Sequence, residues 1–184
     1  MREPDFSLSA TELREVTAFA LAAAIPVLRI YEETNDADDR PRRAIDAARE
    51  FVDGAARSQL QRLTAPAAHR AAKAAPSAAA RYAAMAAGDA AASAYLHPLA
   101  DVTQVGHILR ASAHAALASD LAEGEPSLAD SIRIAVDNAT PVLIDVLLRY
   151  PPTPATSSNR IGSNRIGDVV HRLDVQLRTR AVDG

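Results

Sequence analysis

The segment AAARYAAMAAGDAAASAYL, from Ala78 to Leu96, narrows what this chain can fold into more than any other stretch. Alanine is the best helix former, because it loses no side-chain rotamers and brings no polar atom to compete with the backbone. A sheet draws on branched and aromatic side chains, and aromatics are only 4% of this chain, with no Trp. A helix covered in methyl groups buries little area of its own. It gains stability by letting neighbouring helices approach closely, so that many weak contacts add up. The expectation is an all-α fold, a single-domain bundle of about six to seven helices with alanine-rich close packing. A length of 184 residues suits one domain.

Helix signals recur along the chain. Ser9 and Glu12 form a capping box ahead of an apolar-periodic run through Leu13, Val16, Ala20, Ala24, Val27 and Leu28, with Pro26 expected to kink it or to start a new turn. A second helix is expected after Asp39 as N-cap, with Pro41 in its first turn and Gly54 as its stop. Its pairs Asp39/Arg43, Arg42/Asp46 and Arg49/Asp53 are spaced for i, i+4 ion pairing. Ser58 to Ala75 is a third, interrupted by Pro66. The alanine segment is a fourth, ending at His97-Pro98. Asp101 and Gln104 cap a fifth, about Val102 to Ala122, closed by Gly124. Ser127 opens a sixth, Leu128 to Tyr150, interrupted at Pro141. The organisation read from this is a helical bundle over 1–150, a Pro/Ser/Asn/Gly-rich loop over 151–167, and a C-terminal helix over 168–184 that packs on the bundle through Val169, Leu173 and Leu177. The loop carries a tandem repeat, Ser158–Gly162 and Ser163–Gly167. Its G-x-x-x-x-G skeleton lacks the Lys and Ser/Thr of a phosphate loop, and no strand precedes it.

Charge and composition remove several function classes. The net charge of −3 leaves no basic surface to compete for phosphates, so nucleic-acid binding is not expected. The chain has no cysteine, which excludes disulfides, zinc-thiolate sites and a thiol nucleophile, and suits a cytoplasmic location. The start lacks a basic stretch followed by an apolar run, so no secretory signal is expected. No run of about 18 apolar residues is free of charge and proline, so no membrane contact is expected either.

Chemistry, if any, rests on the histidines. His97, His107 and His114 lie with Asp101 and Gln104 in one region. His107 and His114 share a helix face but stand about 10.5 Å apart along the axis, too far for one ion. Helical metal pairs use i, i+3 or i, i+4 spacing, which no histidine pair here has. There is no nucleophile elbow, and the serines sit where caps explain them. Two readings stay open. In one, the polar groups are caps and a seam between helices; no metal, cofactor or catalysis is then expected. In the other, histidines from separate helices converge with Asp101 or Asp89 on an interhelical site of an enzyme or ligand-binding protein.

Three blocks, DDRPRRAIDAARE, AAGDAAASAYLHPLADVTQVGHIL and LLRYPPTP, in this order and at this approximate spacing, resemble the bacterial immunity proteins. These are small alanine-rich helical proteins, some of whose relatives carry the label of an exonuclease subunit. The likeness spans roughly Leu13 to Leu177. It departs from the family pattern at Asp89, where a histidine often follows the glycine, so a histidine-dependent role does not carry over there. The resemblance implies a non-catalytic interaction protein that neutralises a cognate toxin of a polymorphic toxin system inside the producing cell; a homodimer is a separate expectation that the resemblance does not carry. The polar residues of these blocks, Arg40, Arg42, Arg43, His97, Asp101, Gln104 and His107, are the candidate partner-binding residues. A salt-bridge ladder, caps and an interhelical seam remain the alternative for the same side chains. The exonuclease label finds no phosphate loop or long coiled coil to rest on.

Overall fold

A computed structural model describes residues 5–155 and 165–181. The described residues form eight α-helices and one 3₁₀ turn: α1 (Ala10–Glu32), α2 (Arg40–Val52), α3 (Gln59–Lys73), α4 (Ala78–Ser93), the turn Val102–Gln104, α5 (Val105–Asp120), α6 (Leu128–Asp137), α7 (Pro141–Leu148) and α8 (Arg165–Arg180). The class is all-α as expected, with more helices than the six to seven expected.

Local chemistry accounts for the helix starts. The Glu12 carboxylate accepts from the Ser9 amide at 2.6 Å, while the Ser9 hydroxyl accepts from the Glu12 amide at 3.2 Å. Ser58 and Gln61 make the same reciprocal box on α3. Asp39 flanks α2 but makes no side-chain cap. Its neighbour Asp38 accepts from the Arg40 amide at 3.2 Å instead. The i, i+4 arginine ladder is also replaced: Arg42 makes a bidentate pair with Glu32 of α1, and Arg49 pairs with Asp46. A carboxylate presented by the adjoining helix offers the fork-to-fork geometry that a partner on the same helix cannot. Gly54, directly after the C-cap of α2, adopts φ of +113°, the left-handed conformation that ends a helix cheaply only at glycine, and Gly124 adopts φ of +77° in the turn between α5 and α6.

Of the expected interruptions, the one at Pro141 occurs and the one at Pro66 does not. Pro26 and Pro66 lie inside unbroken helices. Both are exposed, as are Ala22 and Arg62 four residues earlier, so each freed carbonyl stays in water. Pro141 divides the expected sixth helix in two. Thr140 turns extended and its hydroxyl accepts from the Leu143 amide at 3.1 Å, while Pro141 takes the first position of α7. At the C-terminal end, α8 begins at Arg165, inside the segment expected as loop. The first copy of the tandem repeat and the start of the second lie outside the described residues.

Helix α4 is the axis of the bundle and packs on α1, α2, α3 and α5. It is buried over most of its circumference, leaving Ala78 and Arg81 exposed: Ala80, Ala83, Ala84, Ala86, Ala87, Ala90 and Ala91 have no exposed surface. The core accordingly has two textures. Around α4, with α2, α3 and the second half of α1, it is mostly alanine. Toward α6, α7 and α8 it is built from larger side chains, including Ile108, Leu109, Leu117, Ile132, Leu143, Leu147, Leu173 and Leu177. Helix α8 docks there through Val169, Leu173 and Leu177 and through a buried ion pair. Asp174 accepts from the Thr153 amide at 2.7 Å and from Arg178 Nε at 2.7 Å, and Arg178 donates to the last carbonyls of α7. No helix among the described residues is long and apolar enough to cross a membrane.

Candidate functional site

One charged centre interrupts the alanine core. Helix periodicity sets His107, Arg110 and His114 on one face of α5, and Tyr82 and Asp89 on one face of α4. His69 reaches in from α3. Asp89 is 4% exposed. Its Oδ2 lies 2.7 Å from His114 Nδ1; its Oδ1 lies 3.2 Å from His69 Nε2 and 3.8 Å from Arg110 Nε. With Asp89 ionised, His114 Nδ1 carries the proton and donates it to the carboxylate. Tyr82 stacks on the His114 ring, centroids 5.7 Å apart.

Burial pushes the Asp89 carboxyl up. The His114 hydrogen bond, the His69 ring and the charges of His114 and Arg110 outweigh it and hold Asp89 well below the usual carboxylate range. Burial, and then the adjacent Arg110 cation, push the His107 imidazole down, which favours its neutral form. His69 Nε2, His107 Nδ1 and Arg110 Nε are all buried without an aligned hydrogen bond. Unpartnered buried nitrogens cost free energy, so this centre holds positive and polar groups in a geometry that a single carboxylate only partly satisfies. No group of three or more His, Cys, Asp or Glu among the described residues is arranged to hold a metal ion. A carboxylate–imidazole pair is the core of many acid–base sites. Here, though, the His114 side chain is only 7% exposed, which leaves little of the ring open to a substrate.

The centre depends on Gly88. A Cβ there would stand 2.5 Å from His69 Nε2 and 3.0 Å from the Ala65 carbonyl oxygen. Gly88→Ala is therefore expected to destabilise the fold by about 1–2 kcal/mol in urea denaturation, the strain exceeding the gain in helix propensity. His69→Ala in the same background removes the obstacle and should restore part of the loss. An additive double variant would show that the close contact is not what makes glycine necessary.

The structure places six of the seven candidate partner-binding residues in two separate regions and His107 at the charged centre. In the first, Arg40 makes a bidentate pair with Asp38, which also accepts from the Tyr31 hydroxyl at 2.7 Å. Burial and then the Asp38 hydrogen bond push the Tyr31 hydroxyl up to about 12. Arg42 is bound to Glu32, and Arg43 is exposed on α2. In the second region, Asp101 caps the 3₁₀ turn by accepting from the Thr103 amide at 2.8 Å, and Gln104 Oε1 accepts from the His97 amide at 3.1 Å. The His97 side chain is exposed. Only His107 belongs to the charged centre. His69, Arg110 and His114 complete that centre and are absent from the candidate set. The i, i+3, i+7 spacing of His107, Arg110 and His114 is the signal that marks the two on α5; no spacing marks His69 on α3.

A family model described as Imm-5 like putative immunity protein matches residues 7–139. The match contains the first two blocks that carry the resemblance, whereas LLRYPPTP and α8 lie beyond it. No curated protein and no solved structure matches the chain.

Proposed function

The chain belongs to the Imm-5 like immunity protein family, and on that premise we propose that it is a non-catalytic protein that binds a toxin in the cytoplasm of the bacterium producing both and so blocks its activity. The observation that carries this reading is the family match, which runs from the N-cap region of α1 through α6. The charged centre supports it, because Asp89 is engaged by His114 and almost wholly buried. It acts as a rigid polar pin in a soft alanine core, and rigid scaffolds lower the cost of ordering an interface. Of the candidate contact residues, Arg42, Arg43 and His97 are exposed, Arg42 being held by Glu32; outside that set, Arg110 and His69 form the accessible edge of the centre. Arg40, Asp101 and Gln104 shape the surfaces on which those groups stand.

The test is co-expression with each toxin-like open reading frame found beside the gene; finding none would count against the reading. Growth should be restored, and the two purified proteins should elute as one complex. Continued growth arrest in the presence of soluble, folded chain would overturn the reading.

The convergence of His69, His114 and Arg110 on Asp89 favours one second reading, an interhelical site that binds a small ligand or performs chemistry. The two are separable. His114→Gln retains protection if the chain acts by binding. Lost protection, with fold and complex formation unchanged, would assign the effect to chemistry at the centre.

A further inference from the structure

Opposite the charged centre, α5 turns a second face to a long trough. Its floor is Ser112, Ala115 and Ala116 of α5; one wall is Ala22 and Ala23 of α1, and the other is Ile134 of α6. Helix α6 packs on α5 and α8, and the trough lies between it and α1. It encloses a cavity of about 150 Å³, and Phe19, Ala22 and Asn138 also line the hollow beyond, which ends at Glu15 and Thr140. From Glu15 to Val27 the α1 wall runs about 18 Å at ~1.5 Å per residue, or roughly three helical turns.

Three features describe what would fill it. The lining is apolar and made of small side chains, so an occupying helix could lie close to α1 and α5, as the helices of this bundle do with each other. Ile134 stands 43% exposed on the wall, unlike the other isoleucines and leucines that α5 and α6 turn inward. The Ser112 hydroxyl, on a residue 2% exposed at the floor, has no hydrogen-bond partner. A buried hydroxyl without a partner is a cost that an occupant can relieve. Charge gives the occupant a direction. At one end Glu125 is already paired with Arg29. At the other, Glu15 accepts from the Thr140 hydroxyl and pairs with no cation among the described residues.

We infer that the α1/α5/α6 trough is a docking groove for one amphipathic helix of about three turns from the protein partner, with apolar residues at i, i+3/i+4 and i+7, a hydrogen-bonding side chain over Ser112 and a cationic end at Glu15. The inference rests on the toxin-binding reading for the partner's identity, but the recognition chemistry belongs to the trough itself.

The experiment has two arms. In the first, the full chain is used to pan a phage library of 16-residue helical peptides, and the selected peptides are measured by fluorescence anisotropy. Peptides with the apolar spacing above and a Lys or Arg end are expected. Ala22→Trp, at an exposed position that opens into the trough, should weaken them about tenfold or more, and Glu15→Gln should weaken only those with a cationic end. Ile134→Asp is the second, independent obstruction, and circular dichroism checks that each variant is folded. In the second arm, the same variants are tested for protection against the neighbouring toxin. Wild-type protection lost in Ala22→Trp and Ile134→Asp supports the groove. Protection retained in both variants overturns it while leaving the toxin-binding reading standing. If the wild type does not protect, that reading fails and the peptide arm alone decides the groove: peptides without the spacing, or binding indifferent to Ala22→Trp, overturn it. A homodimer of the chain that Ala22→Trp converts to monomer would also overturn it, by giving the trough to a second copy.

Discussion

Asp89→Asn should lower stability by about 3 kcal/mol, a fall in melting temperature of roughly 6–12 °C for a chain of this length. Removing one member of a buried ion cluster leaves the others uncompensated, and that cost exceeds what the intact pair contributes. The asparagine carbonyl still accepts from His114 Nδ1, so the loss falls at the low end of the usual range. What remains uncompensated is the positive charge of Arg110, 3.8 Å away, and the polarity of the His69 ring. The effect should be coupled. Asp89→Asn with His114→Gln should cost less than the sum of the single variants, because both changes weaken the one hydrogen bond that joins the two residues. The pH dependence follows from the depressed Asp89 carboxyl. A carboxylate held below its unfolded value, about 4, contributes its full stability above that pH and loses it progressively as the pH falls toward the folded value. Wild type and Asp89→Asn should therefore differ most near neutrality and converge as the pH drops below about 4. A gap that stays constant down to pH 2 would show that the carboxylate's charge is not what stabilises the centre.

The parts of this fold that were legible in the sequence are those that depend on neighbours within one turn. The Ser9 box, the Gly54 stop and the inward stripe Val169, Leu173, Leu177 all form from neighbours within about one turn of each other, and helix geometry alone brings them together. The break at Thr140-Pro141 was equally local. A threonine cap followed by proline at the first helical position starts a new helix as well as interrupting the run before it. The arginines of α2 could not be assigned this way. Arg42 meets Glu32 ten residues away, across the connection from α1, and spacing along α2 favours Asp46 as its partner. The charged centre lies furthest from local reading. His69, Asp89 and His114 come from three helices, and their meeting is set by how α3 and α5 slide along α4. Alanine surfaces leave that register weakly marked, because every turn of such a helix looks like the next. Only Gly88, bare enough for the His69 ring to rest against, picks out one position.

That uniformity leads to the second large effect, which runs against the usual rule that more buried apolar surface means more stability. Ala84 sits in the middle of α4 with no exposed surface, in a cluster where most of its neighbours are also alanine. Ala84→Leu adds three carbons where the facing helices have closed to the distance that methyl groups allow. The added side chain has no void to enter, and room for it comes only from separating α4 from its neighbours, which gives up dispersion contacts along the whole interface. A cost of about 3 kcal/mol is expected, at the upper end for overpacking, and it should appear as a lower urea midpoint and a melting temperature lower by roughly 6–12 °C. The large-residue half of the core should respond the opposite way. Leu109, fully buried among Leu, Ile and Val, should lose a similar amount on shortening to alanine, by leaving a cavity. One molecule would thus be destabilised by adding carbon on one side of α5 and by removing it on the other. If Ala84→Leu melted at or above wild type, the space around α4 would be larger than its alanines imply. Close approach would then not be what holds the charged centre in register.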